Sequence, residues 1–175
     1  MALFSVFTII RAISLFHITL AYFFLTAPRM IADQNMVYVL GEALRLPHVT
    51  SLDKPNDASA FIAVLLAFLG IADLTGASLN EQIAVDYWLS NVPVRLTFLF
   101  GLSGYIYLFK DDGVFGSKSL LRRASAGDNV RNSLVFAWAF VETATWFWIF
   151  TSLREEKREQ MRRMQERLQA EQDRL

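Results

Sequence analysis

Five side chains that carry a charge or a titratable proton interrupt otherwise apolar stretches of this 175-residue chain: Arg11, His17, Asp73, Arg95 and Glu142. An ionisable group in such a setting is expensive, so each one needs a partner or a task. A buried carboxylate either keeps its proton or pairs with a cation. Arg95 is the cation expected to reach Glu142, with Arg11 next. The four charges Arg11, Asp73, Arg95 and Glu142 therefore form a candidate cluster with two possible roles. They tie helices together in a fixed register, or they line a site for a ligand, a proton or a lipid head group. His17 is a lone imidazole with no second ligand at metal spacing, and is expected to be a satisfied interior histidine. His48, after Pro47, reads as a loop residue.

Reaction chemistry has little to stand on. The chain contains no H-E-x-x-H, G-x-S-x-G, phosphate-binding loop or G-x-G-x-x-G string, each of which places a metal ligand, nucleophile or phosphate cradle at a required spacing. Asp111-Asp112 lacks the further acidic residues that a metal-dependent phospholipid transferase needs. Cysteine is absent, which excludes disulfides, thiolate metal ligands and thiol catalysis. No catalytic residue, cofactor or metal is expected, and the chain reads as a non-enzyme. A formal net charge of zero gives no general attraction to nucleic acid.

The elements that must position the cluster are all-α. Apolar stretches cover about 3–27, 58–74, 92–109 and 133–153. A hydrocarbon core of about 30 Å takes roughly 17 to 25 helical residues, so the fold class is a polytopic membrane protein with four transmembrane helices. The first stretch has an uncharged start and a poor cleavage site, and reads as an uncleaved span. Two regions follow: residues 1–153 as the four-helix transmembrane domain and 154–175 as a charged helical tail. In the tail, Glu155 with Arg158, Glu159 with Arg163 and Arg162 with Glu166 are spaced as helix-stabilising pairs. Met161, Met164, Leu168 and Leu175 trace a narrow apolar stripe.

The connections add surface features. Residues 35–46 place Val37, Leu40, Leu44 and Val39 on one face, an interfacial helix ended by Leu46-Pro47. Ile83, Tyr87 and Trp88 read as surface residues of the second connection. Tyr22, Tyr105, Tyr107, Trp146 and Trp148 also read as interfacial aromatics. Pro93 is expected at the start of the third span, and Gly101 and Gly104 at a close helix contact. The third connection is rich in Gly, Ser and Asp, and its Lys118, Arg122 and Arg123 could touch anionic head groups. Lys and Arg number eight on one side of the membrane and seven on the other, which does not fix orientation. A cytosolic N-terminus and tail are expected because a long charged helix suits a partner surface.

Span parity sharpens the cluster. The start of the first span, the end of the second and the start of the third share one membrane side, which brings Arg11, Asp73 and Arg95 to similar depth. The short second connection predicts that the second and third helices are antiparallel neighbours. Arg95 should then contact Asp73 or Glu142 and hold the second, third and fourth spans together.

The ordered set of features resembles the fungal family called Increased loss of mitochondrial DNA protein 1. It comprises the Arg11-bearing first span, Leu46-Pro47, Gly70-Ile71-Ala72-Asp73, Val92-Pro93-Val94-Arg95-Leu96, Glu142 and Leu153-Arg154-Glu155-Glu156-Lys157. The resemblance runs from about residue 7 to 157. It implies a multi-pass protein of the endoplasmic reticulum membrane connected to upkeep of the mitochondrial genome, with no catalytic residues to carry over. The expectation is a non-enzymatic accessory subunit of a membrane complex that supports mitochondrial DNA indirectly, through lipid supply. Its partners would be membrane lipids and a membrane protein, not nucleic acid. The alternative is a small transporter or lipid-handling protein using the charges between its helices.

Overall fold

A computed structural model describes residues 5–115 and 126–173, and these contain helices and no strand. In chain order the helices are α1 (Val6–Thr26), α2 (Pro28–Ala32), α3 (Asn35–Leu44), α4 (Asp57–Gly76), α5 (Glu81–Phe109) and α6 (Ser133–Gln172), with a short 3-10 turn at Ala126–Asn129. Four of them, α1, α4, α5 and α6, are long and apolar enough to cross a membrane.

The boundaries have local causes. Asn56 caps α4 by accepting from the Ser59 backbone N–H at 2.8 Å, while the Asn56 N–H donates to the Ser59 hydroxyl at 3.0 Å. This reciprocal pair satisfies two of the donors a helix start leaves open. Asn80 and Asn132 cap α5 and α6 with the side-chain oxygen alone, accepting from the backbone N–H of Gln82 and of Val135. At the end of α3, Arg45 takes a left-handed conformation (φ 55°), and the Leu46 N–H turns back to the Gly41 carbonyl at 2.8 Å. The chain stops there and buries Leu46 beneath the turn.

The spans pack as two pairs, α1 along α4 and α5 along α6. The first pair approaches closely because Gly70 has no side chain. A Cβ there would lie 2.7 Å from the Ser14 carbonyl oxygen and 2.8 Å from Ile18. The second and third spans meet only narrowly, so the neighbour relation inferred from the short connection is corrected. The close approach at Gly70 favours α1 as the main partner of α4. The two pairs join through a core containing Ile10, Trp88, Val92, Trp146, Ile149 and Leu153, toward the face from which α6 projects. A second core, with Ala21, Phe24, Ile31 and Leu52, lies at the opposite face under α2 and the first connection.

Four further expectations are revised. Helix α5 starts at Glu81, well before residue 92, and Pro93 lies inside it. The missing N–H leaves the carbonyl four residues earlier without its helical donor, which membrane-spanning helices tolerate through local adjustment. Trp88 and Trp146 are buried in the core and do not face outward as anchoring aromatics would. At Gly101 and Gly104 an added Cβ would meet nothing within 4 Å, so neither mediates helix contact. Val37 is buried on α3 as expected, but Val39 is exposed. The helix docks on α6 instead of only lying on a bilayer, with Gly41 against Ser133.

The tail continues α6 without a break to Gln172. Arg163 meets Glu159 and Arg162 meets Glu166, each at 3.4 Å, and Met161, Met164 and Leu168 are exposed. Lys118, Arg122, Arg123 and Leu175 lie outside the described residues.

Candidate functional site

Asp73 sits in the last turn of α4 with only 1% of its surface accessible. Arg95, about one turn into the apolar part of α5, meets it with both terminal guanidinium nitrogens. Nη1 donates to Oδ2 at 2.7 Å and Nη2 to Oδ1 at 2.5 Å. This two-point geometry satisfies both carboxylate oxygens and gives the pair its direction. The same guanidinium lies over the Trp146 ring, 4.5 Å from its centroid, and 5.4 Å from that of Trp88. The two indoles stack on each other, with centroids 5.4 Å apart. A cation over an indole face is attracted by the ring quadrupole, more strongly when both are withdrawn from water.

The chain of contacts continues on α6. The Trp146 indole N–H donates to Glu142 Oε2 at 2.8 Å, one helical turn earlier. Glu142 Oε1 in turn is hydrogen-bonded to His17 Nε2 on α1 at 2.7 Å. Asp73, Arg95, Trp146, Glu142 and His17 thus form one continuous polar line to which all four spanning helices contribute. Such a network rigidifies an interior when its members are satisfied.

Arg95 therefore reaches Asp73, as expected, and joins the second, third and fourth spans. It does not reach Glu142, whose partner is His17; the assignment of Arg95 or Arg11 to that role is corrected. His17 is fully buried and interior, as the sequence suggested, but it is only half satisfied: Nε2 meets Glu142 and Nδ1 has no hydrogen-bond partner. Depth was the available signal, because His17 and Glu142 both lie midway along their spans. The one-turn spacing of Glu142 and Trp146 was the other signal, since it puts both on one helix face. Arg11 stands apart: its Nη2 donates to the Ala77 carbonyl at 3.0 Å. There it satisfies an open acceptor at the C-terminal, electronegative end of α4. Among the described residues no cluster of three or more His, Asp or Glu side chains could hold a metal ion.

Beyond this line, two features flank the body. Where α6 leaves the apolar core, Lys157 reaches Asp86 on α5 at 2.6 Å. Beside it, partial burial pushes the Glu156 carboxyl above its ordinary range, and the neighbouring charges of Glu81 and Glu159 add to the effect. Arg29, on α2, is held further in its charged form by Asp33, an exposed 3.0 Å pair. On the opposite face, a cavity of about 690 Å³ opens between α1, α4 and the first half of α6, bounded by α2 and α3. Phe16, Phe23, Leu66, Leu134 and Val141 are among its apolar walls, and its lining extends from Gln34, between α2 and α3, to Glu142, midway along the apolar part of α6. The size falls within the range of roughly 300–1,000 Å³ usual for small-molecule sites. Nothing in the linear sequence marks this cavity, which only the splay of the two helix pairs creates.

Comparison with known proteins adds a further line. The family model described as Increased loss of mitochondrial DNA protein 1 matches residues 4–163. Protein ILM1 of Saccharomyces cerevisiae is 30% identical over 149 residues, covering 85% of this chain and 64% of that protein. Protein ilm1 of Schizosaccharomyces pombe is 26% identical over 152 residues, covering 84% of this chain and 82% of its own length. The chain thus spans just under two thirds of the first relative. No solved structure matches.

Proposed function

The chain belongs to the Increased loss of mitochondrial DNA protein 1 family, a family of mitochondrial DNA maintenance, and from that premise we propose that it is a non-enzymatic accessory subunit of an endoplasmic reticulum membrane complex. Its support of the mitochondrial genome is then indirect, through lipid supply. The tail carries this proposal. Residues beyond the apolar part of α6 continue as a helix to Gln172, about 28 Å long at about 1.5 Å per residue. Met161, Met164 and Leu168 are exposed along it among paired charges. A rigid charged rod with an apolar seam, fixed to a membrane body, is suited to docking a partner helix. Purification of the full chain from membranes in mild detergent tests this. A stoichiometric membrane-protein partner that is lost on removing residues 159–175 is expected. Recovery of the chain alone would overturn it.

A second function, lipid handling with the help of the charges between the helices, is favoured by one observation: the apolar cavity reaches inward as far as Glu142. Glu142→Gln should then change lipid exchange in reconstituted vesicles while the protein still inserts and purifies normally. Parallel loss of folding and exchange would assign Glu142 to structure alone.

A further inference from the structure

We infer that the cavity between α1, α4 and α6 is a binding slot for one long hydrocarbon chain beneath a polar head, an inference that rests on the lipid-handling function and names its ligand class. Three observations converge on that chemistry. The walls are mostly apolar on all three spanning helices, with Glu142, the side chains of Gln34 and Thr19, and the unpartnered indole N–H of Trp138 as the polar exceptions. Thr19 is turned away from a ligand role, since its hydroxyl donates to the Leu15 carbonyl at 2.9 Å.

Depth is the second observation. The slot runs from Phe24 to Phe16 on α1 and from Leu134 to Glu142 on α6, roughly eight residues or about 12 Å along each helix. That approaches half of a hydrocarbon core of about 30 Å, which is the depth of one leaflet. A chain entering from the face bounded by α2 and α3 would end at mid-membrane.

The third is the way the slot closes. At its inner end Glu142 is engaged by the protein itself, with His17 on Oε1 and the Trp146 indole N–H on Oε2. The lining beside it, with Phe16 and Val141, is apolar and suits a terminal methyl. At the mouth the polarity reverses, with Gln34 at the rim and the pairs of Arg29 and His48 with Asp33 beside it. A head group would sit there, in water and among charges. The outward face of α4 is different, as Phe68 there is exposed and has no place in the lining. It can meet only the fluid lipid belt.

Photo-crosslinking of the full chain in phosphatidylcholine vesicles tests the inference. Two probes are used, each with a diazirine near the chain terminus: a glycerophospholipid and a free fatty acid. Saturable labelling of peptides spanning residues 16–24 and 134–142 is expected, and the probe that gives it identifies the lipid source. Leu65 is a half-exposed rim residue, so Leu65→Trp narrows the slot with little demand on folding. It should lower labelling roughly tenfold, a loss of about 1.4 kcal/mol in binding. Phe68→Trp should leave labelling unchanged. Saturable labelling elsewhere on the protein would overturn the slot while leaving lipid handling intact. Labelling that is nowhere saturable, or that ignores Leu65→Trp, would overturn both.

Discussion

The half of the membrane body nearest the tail and the half nearest α2 and α3 are built from the same four helices and solve opposite problems. In the first, Asp73, Arg95, Trp88 and Trp146 close on one another until only 22% of the arginine side chain is reachable. In the second, the helix pairs diverge around an apolar cavity of about 690 Å³. The dividing level is Glu142, a member of the polar line on one side and the floor of the cavity on the other. The difference teaches where to look for function. A charge network whose members face one another binds its own helices together, whereas space left between well-anchored helices is available to a ligand.

Substitutions should break the two halves unequally. The largest effect belongs to Arg95→Met, which strands the buried Asp73 carboxylate. A loss of about 3 kcal/mol or more is expected, since orphaning one member of a buried pair typically costs about 3–5 kcal/mol. Unfolding in mixed micelles followed by Trp fluorescence would measure it. Next is Gly70→Ala, where a new Cβ would press on the Ser14 backbone. Overpacking of this kind costs about 1–3 kcal/mol. Gly101→Ala, in open space, should fall within about 0.5 kcal/mol of the parent, and the same assay compares the two. In the cavity half, Leu65→Trp should change stability by no more than Gly101→Ala does, even while it blocks the slot. If it destabilised like Arg95→Met, the contrast between the halves would fail.

The smallest effect concerns pH at the base of the tail. The Glu156 carboxyl is raised above its ordinary value of 4.5, mainly by burial and then by Glu81. A group whose folded-state value is raised favours the folded contact below its ordinary value, and that contribution fades as pH climbs through the raised one. The contact of α6 with the start of α5 should therefore be tighter near pH 4.5 than at neutrality. Amide exchange at residues 82–86, corrected for intrinsic rates, would show greater protection in acid, and Glu156→Gln should flatten that dependence.

Much of the architecture was legible in the sequence because a bilayer imposes length and polarity on each span. Span parity placed Asp73 and Arg95 at one depth, and their pairing followed. Less visible was the early start of α5: Glu81, Gln82, Asp86 and Asn91 make the stretch read as a connection, though it is helical. Trp88 and Trp146 resemble interfacial aromatics in one dimension. Their stacking under a guanidinium depends on two helices meeting, which no local pattern encodes. The Thr97, Gly101 and Gly104 spacing suggested close approach where none occurs, while Gly70 supplied it between α1 and α4. The bond between His17 and Glu142 needed a pairing of helices that sequence separation could not supply.

The central claim is that the charged line is structural and the cavity functional, and the double replacement Arg95→Met with Asp73→Leu tests it most directly. Removing both charges leaves no buried carboxylate unpaired, so stability should return to within about 1 kcal/mol of the parent. Cells carrying the double variant in place of the natural chain should keep their mitochondrial DNA, scored by respiratory growth and genome copy number. A double variant that is stable and abundant yet loses mitochondrial DNA would contradict the claim, and would place the function in the charges themselves.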